Sequence, residues 1–183
     1  MATWKPGNKP RQIIVNKLDV AISQLETAML LWFHDGDPVS IHALTVSSHD
    51  CMNALVEHHT KNSSMLQSWM KTQSRNFQDK IRSAQNFFKH GKKDLKAKYS
   101  LVPTFTDMVM MDAVISFEKL PEVSPRAVMR AFTTRFFLEY PHLLREDARK
   151  RFEETLEAQQ LSRISRKEYW EAEFPKFLAR FPK

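Results

Sequence analysis

The chain has 183 residues, 42% hydrophobic and 27% charged, with a formal net charge of +7. That is enough for one globular domain with its own core. Three glycines argue against a sheet-and-turn architecture, and a single cysteine excludes an internal disulfide or a cysteine zinc cluster.

Residues 1–10 carry two prolines, a glycine and no periodic pattern, and read as a flexible arm with no signal peptide. A helix is expected from Arg11, because Leu18, Ile22, Leu25, Met29 and Trp32 recur at alternating spacings of four and three. It stops around His34–Gly36. Asp37 then caps a second helix with Pro38 at its first position. A turn this short makes the two helices pack antiparallel.

The second helix, Pro38 to about Thr60, has Ile41, Leu44, Met52 and Leu55 as its apolar stripe. The small residues Ala43, Ser47, Ser48, Cys51 and Ala54 lie between them. The small residues allow another helix to approach closely, and His42, Thr45, His49 and Asn53 share one side, read either as a polar seam for a ligand or partner or as hydrogen-bonded structural histidines. His42 and His49 sit about 10 Å apart along the axis, too far to share one ion. They lack the i, i+4 spacing of metal-binding helices, and His58 and His59 point different ways. No metal site or cofactor is expected. Cys51 reads as core rather than nucleophile.

Lys61–Ser64 is a polar break, and Met65–Met70 is a short helix or a loop. The next helix, about Ser74–His90, places Phe77, Ile81, Ala84 and Phe88 within about 60° of one another as a core stripe. Arg82, Asn86 and His90 fall opposite. An outward histidine is free to titrate, to hold a phosphate, or to act as acid or base; equally, His90 before Gly91 suits a plain helix C-terminus. Gly91–Ser100 reads as a basic loop. Residues 1–60 carry a net −2, residues 61–100 a net +8 and residues 101–183 a net +1. The basic character therefore belongs to one segment, the footprint of a polyanion partner.

A helix of about Thr106–Leu120 is apolar on more than one face and is expected to be the most buried. Asp112 in its middle needs a buried partner. Ser124 and Pro125 start a helix that runs to about Tyr140, with Val128, Phe132 and Phe136 as its core face, and Pro141 ends it. Leu144, Ala148, Phe152 and Leu156 make one narrow amphipath over 144–161. Ser165 and Glu168 form a capping box for a last helix with Tyr169, Trp170, Phe174, Phe177 and Leu178, broken at Pro175. The expected fold is all-α, a single bundle of five to seven helices over residues 11–183, with a core over 11–140 and C-terminal helices over 144–180. No run is long enough to span a bilayer, so no membrane partner is expected, and a reducing cytoplasm is. Phosphate-binding glycine loops, nucleophile elbows and dinucleotide fingerprints are absent.

Two stretches, QLETAMLLWFHDGDPVSIHAL and AQNFFKH, together resemble a family of uncharacterised helical bacterial proteins, up to about Leu120. The helix order, with an Asn-x-x-x-His helix after a polar-seamed one, also resembles the HEPN-like domain. That domain is a small, commonly dimeric helical bundle, and many members are metal-independent ribonucleases. Their signature is an arginine, four to six residues and a histidine, often with a polar residue after the arginine. The resemblance puts His90 at the histidine position and Asn86 at the polar one. Gln85 stands where the arginine is expected, and Arg82 would leave seven residues between. A neutral Gln85 supplies no charge beside a developing phosphorane. The resemblance thus implies a homodimer that binds RNA or another polyanion and is catalytically degenerate or weakly ribonucleolytic. His90, Asn86 and Gln85 form its reduced site, and Arg82, Lys89, Lys92 and Lys93 serve as phosphate contacts. The alternative is a non-catalytic interaction module that uses the first two helices and the terminal aromatic helix.

Overall fold

A computed structural model describes residues 13–76, 78, 87, 96, 98–121, 123–124 and 126–181. Among these residues there are eight α-helices, one 3-10 turn and no strand, so the protein is an all-α bundle. In chain order the helices are α1 (Lys17–Phe33), α2 (Pro38–Thr60), α3 (Met65–Lys71), α4 (Pro103–Glu118), α5 (Ala127–Glu139), α6 (Glu146–Glu153), α7 (Leu156–Leu161) and α8 (Arg166–Arg180). The 3-10 turn, Pro141–Leu143, follows α5.

The first helix starts later than its periodicity suggests. Ile13, Ile14 and Val15 lie outside the helix and are exposed; β-branched side chains lose rotamer freedom in a helix. Asn16 is the cap, accepting from the Asp19 N–H at 2.8 Å. The turn into α2 is tight. Gly36 N–H donates to the Leu31 carbonyl at 2.8 Å, and a Cβ on Gly36 would lie 3.0 Å from that oxygen and 3.1 Å from the Leu31 Cβ. Glycine is needed here for the close approach. Asp37 accepts from Ser40 N–H at 2.7 Å, and Pro38 opens α2 as expected.

α2 packs on both α1 and α4, while α5 packs on α1, α4 and α8. The core is aromatic at its centre. The Trp32 ring meets Phe33 and Phe132 edge-on at 5.1 and 5.0 Å, and Phe33 stacks on Tyr169 at 6.1 Å. Such edge-on and offset contacts add about 0.5–1.5 kcal/mol each beyond area burial.

Three further boundaries depart from expectation. Ser124 is not the cap of α5: that helix begins at Ala127, and the residue before it, Arg126, makes a bidentate pair with Glu26 on α1, at 2.6 and 2.9 Å. The amphipath over 144–161 is two helices, because Thr155 stops the first and caps the second by accepting from Ala158 N–H. Pro175 does not break the last helix; α8 runs through it. The capping box of Ser165 and Glu168 forms with both of its hydrogen bonds. Stacking of Trp170 on Phe174, at 3.7 Å between centroids, holds the turn around the proline.

Candidate functional site

Every residue that the sequence singles out for RNA chemistry falls outside the described residues: Arg82, Gln85, Asn86, Lys89, His90, Lys92 and Lys93. The flanks of that segment are described. Lys61, Lys71, Arg75, Lys96 and Lys98 are all exposed. Lys61 Nζ donates to the His58 carbonyl at 3.1 Å, and Lys71 Nζ to Ser63 Oγ at 2.7 Å. Elsewhere cations and carboxylates pair with each other: Arg130 with Glu118, Lys150 with Glu146, Arg151 with Asp147 and Lys176 with Glu173.

The N-terminal flank is fixed by a buried polar junction. α3 buries none of its own side chains, so apolar packing does little to hold it. Its cap Ser64 is fully buried, and Ser64 Oγ accepts from Gln67 N–H at 3.2 Å. Asp112, in the middle of α4, receives the Leu66 N–H on Oδ1 at 3.0 Å and His49 Nε2 on Oδ2 at 2.7 Å. Ser64 also hydrogen-bonds to this carboxylate. Burial pulls the Asp112 carboxyl upward, but the bonds from His49, Ser64 and Leu66 outweigh it and hold the group below its ordinary value. Asn53, one turn beyond His49, places Nδ2 3.2 Å from His49 Nδ1. Ser116 donates to Asn53 Oδ1 at 3.5 Å.

This junction decides between the two readings of α2. The seam of His42, Thr45, His49 and Asn53 is buried and faces α4, where the helix has its own partner. His42 Nδ1 pairs with Thr106 Oγ1 at 2.8 Å, and burial pushes its imidazole below the usual value. These histidines are structural. The seam offers no surface to a ligand or a second copy. Asp112 has the buried partner its position demanded.

A second cluster was not foreseen. Asp107, one turn into α4, accepts Trp32 Nε1 on Oδ1 at 2.8 Å, and on Oδ2 it accepts Tyr140 OH at 2.7 Å and Arg166 NH2 at 3.2 Å. The Arg166 guanidinium lies over the Trp32 ring, 3.7 Å from its centroid, and also pairs with Glu139 at 2.7 Å. Glu139 takes Arg135 as well, at 2.9 Å. Burial pushes Asp107 up, beyond what its three donors offset. Tyr140 is pushed up to about 12 by burial and by the Asp107 carboxylate. Burial also raises Glu139, but Arg166 and Arg135 outweigh it and hold that carboxyl below its usual value. A cleft of about 210 Å³ opens beside the cluster, lined by Asp35, Pro38, Ile41 and Pro103 as well as Trp32 and Arg166. The carboxylate at this cleft accepts from three donors on three different elements. The cluster bolts the start of α8 to α1, α4 and α5. Its signal in the sequence was Trp32 in a core stripe, since a buried indole N–H requires an acceptor.

Among the described residues no group of three or more His, Cys, Asp or Glu could hold a metal ion, and no described helix is long and apolar enough to cross a membrane. The chain matches no protein-family model, no curated protein and no solved structure.

Proposed function

We propose that this protein is a helical, HEPN-like domain that binds RNA or a related polyanion through residues 61–100, with nucleolytic activity reduced or lost. One observation carries the reading. The excess positive charge is confined to this segment, ten Lys and Arg against two Asp and Glu, while the rest of the chain is close to balanced. Its described cations are exposed. Segregation of this kind focuses potential at one place and raises the encounter rate with phosphates. Catalysis by His90 would lack a cation at Gln85, and loss of one preorganised donor to a developing charge costs about 10²–10³ in rate. Binding is therefore expected to outlast cleavage.

The test is RNA affinity and RNA cleavage for the wild type, His90→Ala and Gln85→Arg. The proposal expects affinity that falls steeply with salt, and His90-dependent cleavage gained in Gln85→Arg. Absence of RNA binding at low salt overturns it.

The interaction-module reading draws on a different observation from the one first expected. The aromatics of α8 turn inward: Tyr169 is fully buried, and Trp170 packs on Phe33 at 4.7 Å. Ile13, Ile14 and Val15 instead present an exposed apolar run, with Ile14 98% exposed. If this run seats a second copy, light scattering gives a dimer mass for the wild type and a monomer mass for Ile14→Asp. A monomer mass for the wild type excludes the homodimer.

A further inference from the structure

We infer that the cleft where α2, α4 and α8 begin binds a small zwitterion with an apolar body, the chemistry of a free apolar amino acid, with Asp35 taking the ammonium group and Arg166 the carboxylate. The site uses no residue of the segment 61–100 and stands apart from the polyanion reading.

Four elements build the cleft. Asp35 stands in the turn after α1, Pro38 and Ile41 in the first turn of α2, Pro103 at the start of α4 and Arg166 at the start of α8. Its volume is about 210 Å³. An apolar cavity of about 150 Å³ holds a benzene-sized molecule, so the occupant is a single small molecule rather than a peptide or a nucleotide.

The lining divides by chemistry. Pro38, Ile41 and Pro103 are apolar, and two opposite charges sit among them. Asp35 is exposed, and among the described residues its carboxylate makes no hydrogen bond or ion pair. Arg166 spends Nε and Nη2 on Glu139 and Nη2 on Asp107, so Nη1 has no hydrogen bond among the described residues. Those two carboxylates and the Trp32 ring beneath hold the guanidinium in place, which makes it a preorganised donor that need not be ordered on binding. A simple anion would face Asp35, and a simple cation would face Arg166. A molecule with both charges satisfies both groups, and the mismatch rejects those with only one.

The backbone at Asp35 agrees with a kept side chain. Its φ is 49°, in the left-handed region, where it ends α1 just before Gly36. Glycine suits such a position best, so an aspartate there carries a side chain that the turn itself does not require.

The experiment is calorimetric titration of the full chain with L-leucine, free glycine, leucinamide and 4-methylpentanoate. Leucinamide lacks the carboxylate, 4-methylpentanoate lacks the amine, and glycine lacks the apolar body. The inference expects leucine to bind and each of the other three to bind at least about tenfold more weakly, the effect of losing one charge-assisted hydrogen bond or the apolar contact. Asp35→Asn should weaken leucine by about tenfold. Asp35→Gly should abolish binding while melting no lower than the wild type, which separates loss of the ligand from loss of the fold. No binding of leucine, binding of leucinamide or 4-methylpentanoate as tight as that of leucine, or unchanged affinity in Asp35→Asn overturns the inference.

Discussion

Replacing Asp112 is the sharpest test of how α3 is held in place. Its side chain and that of His49 are 3% and 6% exposed, and their contact is 2.7 Å. Asp112→Ala removes the acceptor for His49 Nε2, for the Leu66 N–H and for Ser64 in one step. Each buried donor left without an acceptor costs about 1–3 kcal/mol, so the three together should cost about 3–5 kcal/mol after partial relaxation. Asp112→Asn keeps the shape and an oxygen for Leu66 but loses the charge, so its cost is about 1–3 kcal/mol. Urea unfolding followed by circular dichroism reads both values, with the slope unchanged if only the native state is affected. The pH dependence adds a second reading. The folded carboxyl lies below its ordinary value of 3.8, so the stabilisation is complete above the unfolded value and disappears as pH falls through the folded one. The wild type should therefore lose its advantage over Asp112→Asn below about pH 4. If both variants unfold within about 0.5 kcal/mol of the wild type, the scale of a surface substitution, the junction does not hold α3.

Arg166→Ala should destabilise the bundle by about 2–4 kcal/mol, below the full cost of a deeply buried pair because the side chain is 26% exposed. Arg166→Lys should recover little of this in thermal melts, since an ammonium cannot both lie flat over Trp32 and fork to Glu139 and Asp107; full recovery would show that charge alone matters there. Tyr140 should ionise near 12 in a spectrophotometric titration, and Tyr140→Phe should delete that step. With its folded value raised above the ordinary 10.0, Tyr140 stabilises below pH 10 and loses that contribution as pH rises toward 12. A titration in which Tyr140→Phe removes an ordinary step near 10 would contradict the hydrogen bond to Asp107.

Local features were readable in the sequence because their causes are local. Asp37 before Pro38, the box of Ser165 and Glu168, and the stripe from Leu18 to Trp32 each specify a helix with residues a turn or two apart, and each is present. Errors arose where a distant contact overrode a local signal. Ser124 with Pro125 is a good start signal, yet α5 begins at Ala127, beside the Arg126 guanidinium that pairs with Glu26 one hundred residues earlier. Pro175 stays within α8 because Tyr169, Trp170 and Phe174 are packed on the core. Asp112 announced that it needed a partner, but His49 lies 63 residues away and nothing local distinguishes it from His42. The same distance hid the meeting of Asp107 with Arg166, 59 residues apart. Which neighbour the α2 seam meets was hidden for the same reason. Small and polar residues mark a close helix contact, and α4 turns out to be the neighbour. The histidine motif rests on sequence and resemblance, since Gln85, Asn86 and His90 lie outside the described residues.

The most direct test of the central claim is the affinity of the full chain for single-stranded RNA as a function of salt. Contacts from about half of the segment's ten cations would neutralise about five phosphates. That gives a slope of about −3.5 for log affinity against log salt concentration. A linear fall near that slope, weakened when Lys71 and Arg75 are replaced by alanine, is the predicted result. Binding that ignores salt, or no binding at low salt, would contradict it.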